Sequence, residues 1–316
     1  ERDRRMTIMT TCFIPCGAKM PIIGLIAGAV FGGSSLVAVS AYFIGMAAII
    51  CSGVILKKTK LFAGDPAPFV MELPAYHVPA WGNVFRATWE RGWSFIKRAG
   101  SVILAATVVL WFMQGFGFEN GAFGMVEDQD NSVLAAIATK IAWIFAPLGF
   151  GNWRATVASV SGLIAKENVV GTLAVCFVGL ENLIDTDELA MLEGTGAEIA
   201  GVIAITKVAA LAYLMFNLYT PPCFAAIGAM NSEMKSGKWV WAGIGLQLCT
   251  GYTVAYLVYT IGTLVTAPST LNAGAAVAGL IAVLIMAAVI VCMVHRTNRK
   301  IKEDYALAGN QAAMSR

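Results

Sequence analysis

Long apolar stretches alternate with shorter polar segments along most of this chain. Stretches able to cross about 30 Å of hydrocarbon as helices lie at 11–31, 36–56, 99–117, 132–148, 154–178, 197–219, 238–266 and 272–294. The pattern predicts an all-α, polytopic transmembrane helix bundle of about eight spans. An even number of crossings puts both ends of the segment on the same side of the membrane.

The longest polar segment, 57–98, is too polar to cross a bilayer but has a marked aromatic pattern. Its second half carries large aromatic side chains at intervals among charged ones: Trp81, Phe85, Trp89, Trp93 and Phe95. We predict an amphipathic helix over 84–98 that lies at the membrane interface and leads into the third span. A helix of this kind packed on a soluble partner domain is the alternative.

Composition supports a membrane protein. Of the 316 residues, 58% are hydrophobic and 13% are charged, with a mean hydropathy of +0.72, whereas soluble domains carry about 25% charged residues. The net charge of +3 is small and the basic residues flank apolar spans, so nucleic acid is not an expected partner. The sequence has no P-loop, GxSxG or HExxH motif, and it therefore does not predict an enzyme.

Lys and Arg residues are distributed unevenly about the predicted spans. All but four of the 22 fall in the loops and tails of one side, whereas the opposite loops, 118–131 and 180–196, contain acidic residues and no basic ones. By the positive-inside rule the basic side is the cytoplasm, and both termini of the segment lie there. The four exceptions lie within predicted spans: Lys19, Lys140, Lys166 and Lys207.

Prolines and polar residues interrupt three apolar stretches. The interruptions are 15–21 (PCGAKMP), 162–168 (GLIAKEN) and 217–223 (NLYTPPC). Each proline removes a backbone donor and frees an upstream carbonyl, and hydrocarbon cannot satisfy these groups. We therefore predict broken or re-entrant helices at the two Pro/Cys motifs, 15–21 and 217–223, with the backbone buried in protein or facing water.

The interruptions also carry side chains that bind metals. Thiol, thioether and carboxylate ligands suit a borderline-soft divalent transition metal better than Mg²⁺ or Ca²⁺. The candidate ligands around one cavity are Cys16, Met20, Glu167 and Cys223. Ionisable residues inside a membrane favour a functional role. A structural charge that bridges two helices, or ordinary packing of Cys and Met, is the alternative.

Six segments of the sequence resemble the membrane domain of the ferrous iron transport protein B (FeoB) family. They are 1–9 (ERDRRMTIM), 16–21 (CGAKMP), 68–74 (PFVMELP), 89–95 (WERGWSF), 163–170 (LIAKENVV) and 220–223 (TPPC). In this order they are specific to the family, and they cover the chain up to about residue 240. The last two predicted spans match in hydrophobic character alone.

The resemblance implies the permease portion of an Fe²⁺ importer in the bacterial inner membrane, with Fe²⁺ as the transported ion. It implies a FeoB C-terminal-type segment at 1–98, a second gate region at 99–236, two last transmembrane helices at 237–295 and a basic cytoplasmic tail at 296–316. The charged opening at Glu1 fits the C-terminal part of a longer protein.

The family likeness also implies partners. A GTP-binding domain and a first gate region precede the matching part in the family, so both are expected within the same protein. GTP and Mg²⁺ would bind only in that N-terminal domain, which this chain does not include. The lipid bilayer is a further expected partner, and the likeness allows a small cytoplasmic FeoA-like protein and a homo-oligomer.

Expected roles for single residues follow from the same resemblance. Cys16 and Cys223 would hold Fe²⁺ transiently, and Glu167 would neutralise the ion. Lys19 or Lys166 would close the path by electrostatic exclusion. The expected gating residues are Lys19, Pro21, Lys166, Asn168, Pro221 and Pro222.

Two other functions remain open from the sequence. A gate-type carrier of a nucleoside or another organic solute would need a larger cavity, which Asn168, Tyr213 and Asn217 could line. A non-transporting membrane scaffold would dock a soluble partner on the 57–98 segment and would use its intramembrane charges as structural contacts.

Overall fold

Helices make up most of the molecule. The computed structural model describes residues 2–57, 59, 62, 80–119, 122–126, 131–164, 166, 169–170, 173, 206–270 and 272–314. The α-helices in these ranges are α1 Arg2–Thr11, α2 Met20–Leu25, α3 Ser35–Lys57, α4 Trp81–Gly115, α5 Val133–Ala142, α6 Trp153–Ile164, α7 Lys207–Tyr219, α8 Phe224–Met234, α9 Gly237–Thr266 and α10 Ala273–Met314. Short 3₁₀ turns lie at Gly17–Lys19, Ala146–Leu148 and Pro268–Thr270, and a π-helical turn, Ile26–Val30, continues α2. The predominantly helical class predicted from the sequence is confirmed.

Four helical stretches in the described residues are long and apolar enough to cross a membrane. They are Ser35–Lys57, Lys207–Met234, Gly237–Thr266 and Ala273–Cys292. The second of these contains the proline break between α7 and α8. The count of eight crossings therefore stays a prediction.

Helix α7 lies at the centre of the bundle. Ala209, Ala210 and every residue from Ala212 to Tyr219 are buried. A helix that is apolar and buried all round has protein on all its faces. Thr206 caps its N-terminus, because the Thr206 side-chain oxygen accepts a hydrogen bond from the backbone N–H of Ala209 at 3.1 Å.

Aromatic rings pack around the middle of α7. The ring of Phe150 meets that of Tyr213 edge to face, with centroids 5.0 Å apart, and the ring of Phe145 meets that of Phe216 in the same way at 5.2 Å. Edge-to-face pairs at these distances are favourable beyond the apolar area they bury. They join the turn before α6 to α7 and hold the central helix in place.

Helix α9 runs antiparallel to α7 and meets it through two glycines. A Cβ atom at Gly262 would lie 2.5 Å from a methyl carbon of Val208, near the start of α7. A Cβ atom at Gly251 would lie 2.8 Å from the backbone nitrogen of Thr220, just beyond the end of α7. Small residues let membrane helices approach at backbone distance, and here they bring α9 against both ends of α7.

Helix α5 is shorter than the span predicted at 132–148. It begins after Ser132, whose side chain accepts from the backbone N–H of Ala135 at 3.1 Å, and ends at Ala142. Ten residues of α-helix rise about 15 Å, half the hydrocarbon thickness. The chain then turns through the 3₁₀ segment that contains Pro147 and through Gly149, whose φ of 85° is left-handed. Proline and a left-handed glycine end helices, so the predicted full-length helix does not form here.

A small two-stranded antiparallel sheet lies within the otherwise helical molecule. Strands β1, Phe116–Glu119, and β2, Ala122–Met125, pair with Phe116 opposite Met125 and Phe118 opposite Phe123. The sequence between the strands is Asn120-Gly121, the dipeptide most typical of a tight hairpin turn. The aromatic residues in both strands also favour strand structure, and the hairpin replaces part of the loop predicted at 118–131.

Two helices extend beyond the boundaries drawn from the sequence. The predicted interfacial helix at 84–98 and the predicted third span at 99–117 form one continuous helix, α4, of 35 residues. Helix α10 has 42 residues and runs through most of the predicted basic tail at 296–316, as far as Met314. Polar residues on a helix do not end it when no proline or left-handed glycine follows.

Candidate functional site

The first sequence interruption is a helix break. Helix α1 ends at Thr11, and the chain is extended at Cys16, with φ −92° and ψ 170°, before the 3₁₀ turn Gly17–Lys19. Helix α2 then starts with Pro21 in its first turn. A proline is tolerated at this position because the missing N–H would have had no helical partner.

The second break separates α7 from α8. Helix α7 ends at Tyr219, and Thr220 is extended, with φ −74° and ψ 167°. Pro221 and Pro222 follow, and α8 begins after Cys223. Proline disfavours the helical conformation of the residue before it, and two in succession end the helix.

The two cysteines named from the sequence occupy equivalent positions. Cys16 is the N-cap residue of the 3₁₀ turn and Cys223 is the N-cap residue of α8, and neither side chain makes a capping hydrogen bond. Cys16 is exposed and Cys223 is partly buried. Each thiol therefore lies at a break, beside the first N–H groups of a new helical segment.

Lys19 connects the two breaks. Its side chain is buried, and its ammonium nitrogen donates to the backbone carbonyl of Cys12 at 3.1 Å and to that of Leu218. In an unbroken helix the Leu218 carbonyl would accept from the N–H of residue 222, which is a proline and has none. The lysine thus supplies the donor that the proline lacks.

Lys166 reaches the same place from the other side. It is buried, and its ammonium nitrogen donates to the side-chain oxygen of Thr220 at 3.3 Å. Helix α6 comes close to this point through Gly162, where a Cβ atom would lie 3.7 Å from a side-chain carbon of Lys166 and 3.7 Å from the amide oxygen of Asn217. Each buried lysine thus has a polar partner at the end of α7.

The structure brings four of the predicted residues into one cluster. Lys19 and Lys166 both lie within electrostatic range of Cys16 and Cys223, and the two lysines lie within range of each other. Pro21, Pro221 and Pro222 form the backbone breaks that frame this cluster. Two basic groups, two thiols and freed carbonyls therefore share one site around the end of α7.

The remaining predicted residues are one half-exposed methionine and two residues outside the described ranges. Met20 is half-exposed, and its sulfur accepts a hydrogen bond from the hydroxyl of Tyr42 on α3 at 3.1 Å. Glu167 and Asn168 lie outside the described residues. No group of three or more His, Cys, Asp or Glu side chains that could hold a metal ion occurs in the described ranges.

Two polar residues at the end of α7 are not among the metal ligands predicted from the sequence. Asn217 is buried, and its amide nitrogen donates to the carbonyl of Tyr213 at 3.0 Å and to the hydroxyl of Ser159 at 3.4 Å. Thr220 is also buried and is the partner of Lys166. Both residues lie in an apolar stretch within four positions of the double proline, and this position was a signal present in the sequence.

Two family models match the chain. The model described as "Ferrous iron transport protein B C terminus" matches residues 38–91, and the Gate model, described as "Nucleoside recognition", matches residues 96–237. The second match contains both Lys166 and the Thr220–Cys223 break. No solved structure matches the chain.

Curated relatives match along most of the chain. Proteins named Fe(2+) transporter FeoB are 33% identical over 273 residues in Methanocaldococcus jannaschii, 30% over 269 residues in Staphylococcus aureus and 32% over 302 residues in Salmonella typhimurium. These matches cover 84%, 84% and 82% of the chain but 38%, 37% and 38% of the relatives. The chain thus spans well under half the length of the relatives it matches. On these matches, this chain belongs to the ferrous iron transport protein B family and corresponds to its C-terminal membrane part.

Proposed function

We propose that this chain forms part of the path by which Fe²⁺ crosses a membrane. The observation that carries the proposal is the cluster at the end of α7, where Cys16 and Cys223 lie at two helix breaks beside two buried lysines. The relatives that match most of the chain are named Fe(2+) transporters. The chain acts as a transporter segment and not as an enzyme.

The thiols supply the chemistry that distinguishes Fe²⁺ from harder cations. Fe²⁺ accepts thiolate ligands, whereas Mg²⁺ and Ca²⁺ favour oxygen. A cysteine loses its proton when it binds a metal, and the exposure of Cys16 gives the ion access. Glu167, next to Lys166 in the sequence, would neutralise the remaining charge, and Met20 would add a thioether after a side-chain movement. Transient ligands of this kind permit release as well as binding.

The lysines hold the path closed in this state. The Lys19 ammonium ties the two breaks together through the carbonyls of Cys12 and Leu218. Lys166 places a second basic group near the thiols, and it would repel a cation whenever it is protonated. A cation that enters must overcome this repulsion, so passage requires that Lys19 or Lys166 move away. Pro21, Pro221, Pro222 and Asn168 would allow the backbone at the gate to rearrange.

The topology proposed for the chain has eight crossings with both termini in the cytoplasm. It is supported by the one-sided distribution of Lys and Arg in the sequence. The membrane would be the bacterial inner membrane. A GTP-binding domain with its Mg²⁺ and a first gate region would act in the same protein, and an FeoA-like protein and a homo-oligomer are compatible with this arrangement.

Nucleoside transport is not favoured. The family model that matches 96–237 is described as "Nucleoside recognition", but the relatives that cover more than four-fifths of the chain are named for Fe²⁺. In addition, the amide nitrogen of Asn217 is already engaged with Tyr213 and Ser159.

Fe²⁺ flux tests the proposal directly. The full-length protein is reconstituted anaerobically into liposomes that contain an iron-sensitive dye, and the wild type is compared with the double variant Cys16→Ser/Cys223→Ser. The matched control is Cys51→Ser/Cys292→Ser, which removes two exposed cysteines from α3 and α10. We expect the first pair to abolish most Fe²⁺ entry and the control pair to retain it. Undiminished entry in the first variant would overturn the thiol path.

A further inference from the structure

Asn217, in the last turn of α7, has a buried side-chain oxygen, Oδ1, without a hydrogen-bond partner among the described residues. The orientation of the amide is fixed, because its nitrogen donates to the backbone carbonyl of Tyr213 at 3.0 Å and to the hydroxyl of Ser159 at 3.4 Å. A carbonyl only accepts, so the nitrogen must face Tyr213 and the oxygen must face away from it. A buried amide oxygen without a donor is costly. A donor that reaches it in another state of the protein would offset that cost.

The amine of Lys166 has a donor beyond the one that it uses at Thr220. Its acceptor among the described residues is the Thr220 hydroxyl oxygen, at 3.3 Å. An ammonium group has three N–H donors and a neutral amine has two, so either form keeps a donor over. The Lys166 side chain is buried, where an unused donor is also unfavourable. Asn217 and Lys166 therefore have complementary unpaired groups in the same part of the interior.

One point beside Gly162 of α6 places these two groups within reach of each other. A Cβ atom at Gly162 would lie 3.7 Å from the Asn217 Oδ1 and 3.7 Å from the Lys166 Cδ, so these two atoms are at most 7.4 Å apart. The amine lies about 2.5 Å beyond Cδ, and a hydrogen bond spans about 2.9 Å. A rotamer change that moves Cδ by no more than about 2 Å brings the amine to the oxygen.

The backbone at Lys166 is anchored to α6, so this movement falls to the side chain. Lys166 lies two residues beyond the end of α6, and its backbone carbonyl accepts from the N–H of Val169 at 3.4 Å. Val169 is fully buried and packs against Gly162, where a Cβ atom would lie 2.5 Å from one of the valine methyl carbons. The lysine amine, in contrast, stands on a flexible four-carbon stem.

We infer that Asn217 is a positioning residue of the gate, whose Oδ1 accepts the Lys166 amine when this amine leaves Thr220. The inference rests on the proposed function, in which Lys166 moves away to let Fe²⁺ pass. Asn217 precedes Thr220 by three residues, which correspond to about 4.5 Å along a helix axis. The transfer therefore draws the amine back along α7, away from Cys223. Without this acceptor the amine would lose a hydrogen bond on opening and gain none, so the open state would be less favourable.

Initial rates of Fe²⁺ entry into liposomes test this role in the full-length protein. Asn217→Thr removes Oδ1 at similar side-chain volume, and the threonine hydroxyl can donate to the Tyr213 carbonyl four residues back. We expect entry to slow by about three- to tenfold, the effect of one hydrogen bond. In the Lys166→Met background, which has no amine to receive, Asn217→Thr should leave the rate unchanged. Ser159→Ala removes a partner of the Asn217 nitrogen but leaves Oδ1 in place, and this matched control should transport like the wild type.

Three results would overturn the role of Asn217. They are an unchanged rate after Asn217→Thr, the same slowing with and without the Lys166 amine, and the same slowing after Ser159→Ala. The unfolding temperature in detergent confirms that each variant is folded, and Asn217→Ser, which has the same hydroxyl in a smaller side chain, replaces Asn217→Thr if that variant does not fold.

The variant Cys16→Ser/Cys223→Ser is measured beside these proteins, so that the two ideas fail separately. Full Fe²⁺ entry in the cysteine variant would overturn the thiol path and leave the coupling between Lys166 and Asn217 intact. Loss of entry in the cysteine variant, with independent effects of Lys166 and Asn217, would overturn the positioning role and leave the thiol path intact.

Discussion

The ammonium group of Lys19 donates to the backbone carbonyl of Leu218, which lies four residues before Pro222. In a continuous helix this carbonyl would accept from the N–H of residue 222, and proline has no N–H to give. A side chain from the first helix break thus completes the hydrogen bonding of the second. The two breaks form one unit, although 199 positions separate the bonded residues.

Removal of this side chain should destabilise the fold. Lys19→Met leaves the carbonyls of Cys12 and Leu218 without their donor in a buried site. An unsatisfied buried carbonyl costs about 1–3 kcal/mol, and this cost should exceed the gain from no longer burying the ammonium. We expect a clear fall in the unfolding temperature in detergent. Lys57→Met, at the exposed end of α3, should have little effect, and an equal fall in both variants would contradict the assignment.

A double-mutant cycle between Lys19 and Pro222 tests whether the lysine replaces the missing donor. Pro222→Ala restores a backbone N–H that can bond to the Leu218 carbonyl. The cost of Lys19→Met should therefore be smaller in the Pro222→Ala background, with a coupling of about 0.5–3 kcal/mol. Additive losses of unfolding free energy would mean that the lysine and the proline act independently.

The same proline should also matter for the thiol. With Pro222→Ala, α7 can extend towards α8, and Cys223 would leave its position as the N-cap residue of α8. We expect a lower rate of Cys223 alkylation and less Fe²⁺ entry. Alkylation is measured in a protein whose other cysteines are replaced by serine. Fe²⁺ flux is measured in the wild-type background. An unchanged alkylation rate would show that the exposure of the Cys223 thiol does not depend on the helix break.

Two glycines on α9 offer a matched test of packing at this site. A Cβ atom at Gly251 would lie 2.8 Å from both the nitrogen and a methyl carbon of Thr220, whereas a Cβ atom at Gly245 meets nothing within 4 Å. Gly251→Ala should lower the unfolding free energy by about 1–3 kcal/mol through overpacking. Gly245→Ala should be neutral or stabilising by up to about 1 kcal/mol, since alanine favours helix. Equal effects would show that α9 does not press on the end of α7.

Replacement of Lys166 should change the rate at which Fe²⁺ leaks through the protein. Its amine is buried at the end of α7, where it donates to Thr220, and Lys166→Gln keeps a polar group there that cannot carry a positive charge. We expect faster Fe²⁺ entry into liposomes in the absence of nucleotide, because a cation in the path would meet one positive charge fewer. Lys140→Gln, on an exposed position of α5, is the control. A leak rate equal to that of the wild type would show that Lys166 does not contribute to the gate.

The sequence predicted the local features of this site and missed its long-range ones. Prolines act on their own backbone, so the breaks near Pro15 and Pro221 could be placed without a structure. The burial of Lys19 and Lys166 followed from charges within apolar stretches. The partners of these two lysines could not be predicted, because the contact between Lys19 and Leu218 depends on how the chain before α2 packs against α7. The hairpin of β1 and β2 is different: the Asn-Gly dipeptide at 120–121 is a local sequence signal for a tight turn, but the helical pattern of the whole chain outweighs it.

The exposed N-terminal half of α4 makes the last prediction. Helix α4 is 35 residues long and therefore rises about 52 Å, more than the roughly 30 Å of hydrocarbon. Trp89 and Trp93 stack on each other with ring centroids 6.1 Å apart and remain exposed. With 100° per residue, Phe85 shares their face and Ala87 lies on the opposite one.

Spin labels on these two faces should respond differently if the aromatic face lies against lipid. Phe85 and Ala87 are both exposed within the chain, so the protein alone gives no reason for a difference. In reconstituted vesicles we expect a label at Phe85→Cys to be accessible to membrane-soluble oxygen, and one at Ala87→Cys to be accessible to a water-soluble nickel complex. On a helix that lies in the membrane interface, tryptophan and other apolar side chains face the lipid, whereas basic side chains face water. Equal accessibility to both reagents at both positions would place this helix in water or against a protein partner, and the interfacial prediction would be wrong.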